Sequence, residues 1–416
     1  MKNNNVIRVF EHQTLKVDIE SKFNSSHFRA LELYGYKTKE KYFSVGNKRI
    51  KFSNYVGVIQ VNNLTIEILP KADFNESSED IKNKWHDALL EMLNVCKLIK
   101  LDSITNAKLK LNSATILDLY FDLFITETER IVRHGFKKEY RNISENINKV
   151  KGKIKFEKQI KMNYIHKEKF FVEHNIYDND NILNRIVFKA LLILLKLSNN
   201  PIFINRINKL LLSFENITEV NISEKDFSKI VFNRSSERYK QAIQLAKLII
   251  LKYSPDLKCG KENVLAILFD MNLLYENYIY KKLKSLEVNK NIPNIKVHKQ
   301  NRKQFWENRG IRADIIIETK NKNYVIDTKW KLLNENKPSD NDLKQMFVYN
   351  LHYNSDLSIL LYPKTTLNTI SKKPFRNDLY CDRYCQMAFV DIFDNNKLDK
   401  HLGIKIYQEL LSEELL

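Results

Sequence analysis

Apolar and polar positions follow three regimes along the chain. From about Val6 to Leu69 the alternation favours strands: "KYFSVGNKRIKF" sets a Gly-Asn turn between alternating residues, and "VGVIQVNNLTIEILPK" sets Asn62-Asn63 between two apolar runs. The polar stretch "DFNESSED", residues 73 to 80, reads as a linker in which Ser78 to Asp80 caps the next helix. From Ile81 to about Lys252 the apolar spacing is helical, as in Trp85, Ala88, Leu89, Met92 and Leu93, and again in "TILDLYFDLFITETERIV" and "NRIVFKALLILLKL". One piece near Lys151 to Phe156 reads as extended. "YSPDLKCGKEN", residues 253 to 263, marks the last boundary. Beyond it the pattern predicts a helix (about Asn263 to Leu286), a strand (about Ile295 to His298) and a hairpin over "ADIIIETKNKNYVIDTKW", residues 313 to 330. A helix from about Ser339, strands at Leu357 to Tyr362 and Met387 to Phe393, and a terminal helix complete the order. The expected class is an α+β multidomain protein: a β-rich domain over 1–75, a mainly helical one over 76–252, and a C-terminal α/β domain over 253–416 with a mixed sheet flanked by helices.

The 416 residues are 43% hydrophobic, enough for two or three packed cores. Charge adds a direction: 69 Lys and Arg against 50 Asp and Glu give +19, spread along the chain, which suits a polyanion such as nucleic acid. The bland alternative is a Lys- and Asn-rich usage bias with solvated charges. The start, "MKNNNVIRVFEHQ", has no apolar signal core, and the run Ala190 to Leu195 is far short of a membrane span, so a cytoplasmic protein without a membrane partner is expected. Cys96, Cys259, Cys381 and Cys385 are too scattered for a disulfide framework or a zinc site and read as reduced thiols. None of the eight glycines stand at the spacing of GxxxxGK[ST], so any nucleotide hydrolysis would belong to a partner.

The 313–330 hairpin carries acids and a lysine where a strand prefers apolar residues. With the turn centred between Asn321 and Lys322, Thr319 faces Tyr324, Ile316 faces Asp327 and Asp314 faces Lys329. Side chains two apart, and those directly opposed, share a face, so Asp314, Asp327 and Lys329 fall together. Two carboxylates so close repel unless a divalent cation neutralises them. Mg²⁺, with Mn²⁺ as a substitute, would take both acids and the backbone carbonyl of Thr328 and keep several waters. The cation would polarise a phosphate, and Lys329 would hold or activate a water and offset developing charge. The plain alternative is an exposed strand with an Asp–Lys pair. In "SDNDLKQMFVYNLHY", Ser339 and Asp342 have capping-box spacing, and Gln345 and Tyr349 share a helix face from which they could reach the catalytic edge and the DNA backbone. Glu276 interrupts an apolar helix, so it either meets solvent or adds an acid to the metal's shell.

Asp314, Asp327-Thr328-Lys329 and Gln345-x-x-x-Tyr349 together resemble the PD-(D/E)xK nuclease superfamily, with Ala313 in place of the motif's proline. Residues 57 to 71, 152 to 191 and 325 to 331 ("VIDTKWK") resemble the McrC subunit of McrBC-type modification-dependent restriction systems. The likeness runs from about residue 50 to the end. It implies a DNA endonuclease subunit that works with an McrB-like AAA+ GTPase hexamer and stimulates it through the N-terminal part of the chain. It also implies Asp314 and Asp327 as metal ligands and Lys329 as the catalytic lysine, with Glu276, Gln345 and Tyr349 as further site residues. Cutting both strands of duplex DNA calls for a second copy of the chain or complex, or for two nicks.

Two other readings stand beside it. A non-catalytic adaptor could activate the motor with a vestigial nuclease fold. A stand-alone RecB-like exonuclease with an iron–sulfur cluster would want three cysteines downstream, and only Cys381 and Cys385 follow. Arg133, His134 and Arg141 are candidates for DNA or partner contact, or else a solvated basic helix end.

Overall fold

The computed structural model describes residues 5–18, 22–70, 78–98, 115–254, 263–289, 292, 294–300, 302–320, 322–331, 333, 337–364, 367–375 and 383–411. The chain gathers into two compact units rather than three consecutive stretches: one is Met1–Ile59, Leu64–Ile116 and Leu268–Leu416, the other Gln60–Asn63 and Leu117–Ile267. The reason lies in the N-terminal strands. Tyr55–Val61 and Leu64–Leu69 are buried along nearly their whole length. Strands hidden on both faces need cover from outside their own sheet, which a 75-residue stretch does not supply.

Val6–Phe10 runs parallel to Leu64–Leu69, from Val6 opposite Thr65 to Phe10 opposite Leu69. The region expected as strands alone also contains the helix Ser25–Lys37, started by a capping box between Asn24 and His27. Its buried positions His27, Ala30, Leu31 and Tyr34 have helical spacing, masked in the sequence by aromatic residues that read as β-formers. The helix Glu79–Val95 begins at the Ser78 cap and buries Trp85, Ala88, Leu89, Met92 and Leu93, the expected stripe, but within the first unit. The expected linker at 73–80 and the boundary at 253–263 fall largely outside the described residues, as do Cys259 and Cys381. Cys96 and Cys385 are free thiols.

A charged cluster is sealed into this unit. Glu67, fully buried, accepts from Arg8 Nε at 2.8 Å and from the Ile116 backbone N–H at 2.7 Å, and its Oε1 lies 3.5 Å from His86 Nε2. The last contact is too poorly aligned to count as a hydrogen bond and is best read as an ion pair. Burial alone would lower the His86 pKa, but the Asp87 and Glu67 carboxylates outweigh it and raise it to about 9. A histidine raised from its ordinary 6.5 contributes stability that is complete below that value and lost as pH climbs through the folded-state pKa. The melting temperature of the full chain should therefore decline between pH 6.5 and 9. In His86→Gln that part of the decline should vanish, as differential scanning fluorimetry at several pH values would show.

The second unit holds the helices Ile182–Leu197, Pro201–Leu211 and Lys240–Lys252, as expected. It also holds a three-stranded sheet that the pattern concealed: Glu139–Ile147 pairs antiparallel with Phe170–Asp178 over nine residues. The extended piece near Lys151 is only the short third strand, Lys153–Ile154. Glu139–Ile147 has too few apolar residues to announce a strand. Arg141 sits on it rather than at a helix end and is paired to Asp178 at 2.8 Å, while Arg133 is exposed as the last residue of the helix Ile116–Arg133 and His134 is exposed just after it.

The residues expected to open a helix near Asn263 form the strand Val264–Asp270 instead. Its unbroken run "VLAILF" has no polar position to reveal a period. The helix is Met271–Lys284, capped by Asp270, whose Oδ1 accepts from Asn272 N–H. A six-stranded sheet follows in the order Lys296–Lys299, Ile315–Glu318, Asn323–Thr328, Leu357–Pro363, Tyr384–Val390, Lys373–Pro374. Its middle pairings are parallel and its outer ones antiparallel, so the sheet is mixed. The helix Asp340–Tyr353, capped by Ser339, lays Met346, Tyr349 and Tyr353 against Ile316, Val325, Leu360 and Met387. Between the first two sheet strands lies an unexpected two-stranded ribbon, Arg302–Trp306 with Arg309–Arg312.

The hairpin register differs from the expected one by two residues. Ile317 faces Tyr324 and Ile315 faces Ile326, because the turn closes early: Thr319 N–H donates to Lys322 O at 2.9 Å. An even shift keeps every side chain on its face, whereas a shift by one would have reversed them all. Continued by one pair, this register sets Asp314, rather than Ile316, opposite Asp327. Among the described residues, no helix is long and apolar enough to cross a membrane.

Candidate active site

The site forms where Ile315–Glu318 begins and Asn323–Thr328 ends. Asp327 is the penultimate residue of its strand, held between the neighbours Ile315–Glu318 and Leu357–Pro363, and is 2% exposed. Asp314 precedes the adjacent strand and turns inward: its Oδ2 accepts from Thr328 N–H at 3.0 Å and from Thr328 Oγ1 at 3.1 Å. Lys329 leaves the strand just after Thr328, anchored by its N–H to Leu361 O at 2.9 Å. Its Nζ lies 2.7 Å from Asp327 Oδ2 and 3.3 Å from Asp342 Oδ1.

These contacts fix the charge states. Burial raises the Asp327 pKa to about 6, the Asp314 carboxylate adds to the rise, and Lys329 only partly offsets it. Burial alone would lower the Lys329 pKa, but Asp327 and Asp342 together raise it above the ordinary lysine value. Both carboxylates thus favour its ammonium form.

The helix Asp340–Tyr353 supplies the next layer. Gln345 Nε2 donates to Asp327 Oδ1 at 3.3 Å and to the Tyr349 hydroxyl at 2.7 Å, and Gln345 Oε1 accepts from Lys329 Nζ at 3.4 Å. Tyr349 donates in turn to Arg312 O at 2.7 Å. Its hydroxyl is thus engaged inside the fold, bracing the backbone just before Asp314, and does not extend toward a DNA backbone as the helix periodicity alone allowed. Ala313 is buried and its N–H donates to the Tyr353 hydroxyl at 3.3 Å, a bond that a proline at this position could not make. Glu276 is buried, not solvent-facing. Its Oε1 accepts from Gln300 Nε2 at 2.7 Å with Lys299 Nζ at 3.7 Å. Burial raises its pKa and the nearby Asp314 raises it further, which places it on the same electrostatic patch.

Sequence reasoning passed over three participants. Asp342 was legible only as a helix cap, yet it shares the Lys329 ammonium. Gln300, beside a short strand, gives no local signal. Trp330 follows the lysine and donates its indole N–H to Glu11 Oε1 at 2.6 Å, in the interior, from a strand end more than three hundred residues earlier. Only the fold could reveal that pair.

Among the described residues, no three His, Cys, Asp or Glu side chains converge as a ready-made metal cage. The donor set nonetheless fits a hard cation that keeps several waters. Asp327 Oδ2 is buried with no aligned hydrogen-bond donor: the 2.7 Å contact with Lys329 is an ion pair without hydrogen-bond geometry. A buried carboxylate oxygen in that condition is costly.

The architecture around this site is one seen before. Over 97% of its length the chain is similar to a chain covered to 99% in a Thermococcus gammatolerans half-complex of McrB AAA+ hexamers with bound McrC, with a TM-score of 0.68 and 21% identity. A second similarity, to a chain of the Thermococcus gammatolerans McrBC complex, covers 66% of this chain and 86% of that one, with a TM-score of 0.49 and 22% identity. No curated protein matches the chain. Residues 50–363 match the family of McrBC 5-methylcytosine restriction system components, and the chain belongs to that family.

Proposed function

We propose that this chain is the endonuclease subunit of a GTP-driven restriction complex. It would cut DNA, modified DNA in particular, with Mg²⁺ or Mn²⁺, and stimulate an McrB-like AAA+ hexamer. The observation that carries the reading is the meeting of Asp314, Asp327 and Lys329 at adjacent strand ends, with Asp327 Oδ2 buried and lacking an aligned donor. Asp314, Asp327 and the Thr328 carbonyl would hold the metal. When bound, the metal would supply Lewis-acid polarisation of the scissile phosphate and a more acidic water. Lys329, whose ammonium form both neighbouring acids favour, would hold or activate the attacking water and steady the charge that grows on phosphate oxygens. Gln345 would keep Lys329 and Asp327 in register, while Glu276 would tune the charge beside Asp314. The Thermococcus assembly supports the partner, and the basic net charge of +19 supports the substrate. The adaptor reading explains none of the cost of bringing two acids and a lysine together.

Metal binding tests this directly. Mg²⁺ or the unreactive Ca²⁺ should raise the melting temperature of the full chain by mass action on the folded state. Asp327→Asn should melt at or above the wild type without metal, because it removes a buried charge facing Asp314, and should lose the metal-dependent rise and DNA cleavage. An equal metal response in both proteins would overturn the assignment.

A further inference from the structure

The ribbon Arg302–Trp306 with Arg309–Arg312 has no evident duty in the fold. Its two strands cover little: Arg302–Trp306 is exposed throughout, and of Arg309–Arg312 only Ile311 is partly buried. One face does rest on the molecule. Lys303 Nζ sits 4.9 Å above the Tyr353 ring and donates to His352 O at 3.0 Å, and Phe305 meets the His352 ring edge-on at 5.1 Å. The other face is free and cationic.

On that face Arg302 stands directly opposite Arg312. Like charges directly opposed across a ladder destabilise it. Among the described residues neither guanidinium lies within 4 Å of a carboxylate; Arg312 is near enough to Glu276 to favour its ionised form, and Arg302 donates only to the Asn308 carbonyl, at 3.2 Å. Gly310 makes room for the crowding: a Cβ there would stand 2.5 Å from Arg302 Nε. Toward the tip, past an irregularity in the pairing, Trp306 is paired with Arg309, which alternates onto the Ile311 side of the ribbon; its guanidinium lies 5.8 Å from the indole centroid, and Trp306 is 58% exposed. An exposed tryptophan beside arginines without a close carboxylate costs solvation and repulsion that an anionic, stackable ligand would return. The ribbon also runs through Arg312 and Ala313 straight into Asp314. Whatever it grips is delivered to the carboxylates.

We propose that this ribbon is the element by which the chain grips duplex DNA beside the cut site: Arg302, Arg309 and Arg312 on the phosphates, Trp306 as an apolar wedge in the groove. The proposal rests on the nuclease reading for its substrate, and its test is independent of cleavage. Trp85 and Trp330 are buried, at 2% and 8% exposure, so Trp306 is the one exposed indole in the chain's set of three tryptophans. Titrating the full chain with a short duplex DNA in a chelator should quench intrinsic fluorescence saturably, and the signal should disappear in Trp306→Phe. Arg302→Ala with Arg309→Ala should weaken binding roughly ten-fold at moderate salt and flatten the log–log salt dependence by about 2, one unit for each lost phosphate contact. Unchanged melting temperatures would confirm that both variants fold.

Wild-type affinity and salt slope in the double arginine variant would overturn the proposal. So would DNA binding without tryptophan quenching. Sedimentation showing that the ribbon variants dissociate a dimer, with DNA affinity untouched, would overturn it in favour of a second copy of the chain on this face. Cleavage surviving in Lys329→Ala would sink the nuclease reading while leaving the ribbon's DNA contact standing.

Discussion

Lys329→Ala should lower DNA cleavage by about 10²–10³-fold, the scale seen when a single preorganised electrostatic donor is removed. The substitution deletes the ammonium that both Asp327 and Asp342 face. Asp327 then keeps its burial and its Asp314 neighbour without the one cation that offsets them, so its pKa should climb further. On the proposed reading two losses follow from one change: the charge that would stand beside the phosphate, and part of the ionised fraction of an acid that would hold the metal. GTP hydrolysis by the partner should be stimulated as before, because the substitution touches only the nuclease strands. A coupled assay of plasmid cleavage and phosphate release on the same complex separates the two. Loss of stimulation with cleavage intact would reject the assigned roles, and cleavage intact with stimulation intact would remove Lys329 from the chemistry.

Trp330→Ala should be the most destabilising single change near the site, by about 3–5 kcal/mol, the usual cost of emptying a buried aromatic position. The indole packs edge-on to Trp85 at 6.1 Å and against Tyr275 at 5.1 Å, and its N–H is the donor to buried Glu11. Trp330→Phe keeps much of the packing and deletes only the donor, so it should cost roughly 1–3 kcal/mol, the price of an ill-served buried acceptor. Denaturant midpoints of the three proteins measure the order. Because the neighbouring residue is Lys329, cleavage should fall in Trp330→Ala even at temperatures where the chain remains folded.

How much of this was legible in the sequence differs by element. The strands and helix that carry Asp314, Asp327, Lys329, Gln345 and Tyr349 announce themselves through strong periodicity and a Ser339 cap, so the site's members share a face even though the hairpin register was off by two. The turn misled because Lys320 to Asn323 is uniformly polar and offers no marker of its tight point. Val264–Asp270 lacks any polar residue in its first six and so hides its period, while Glu139–Ile147 has too few apolar ones. The helix Ser25–Lys37 lost to its own aromatic content. Contacts between residues far apart in sequence, Trp330 with Glu11 and Glu67 with Ile116, leave no local trace at all.

The same long-range stitching bears on how the chain is made. The unit that holds the candidate site is drawn from both ends of the polypeptide, with all of Leu117–Ile267 between its two halves. On the ribosome, Tyr55–Val61 and Leu64–Leu69 emerge greasy and uncovered, and Glu11 must wait for Trp330 until nearly four-fifths of the protein has been synthesised. Such a nascent chain has long exposure to aggregation before its first strands find their permanent cover. A fragment that carries only the C-terminal domain begins without those strands, and would be born missing part of its own interior.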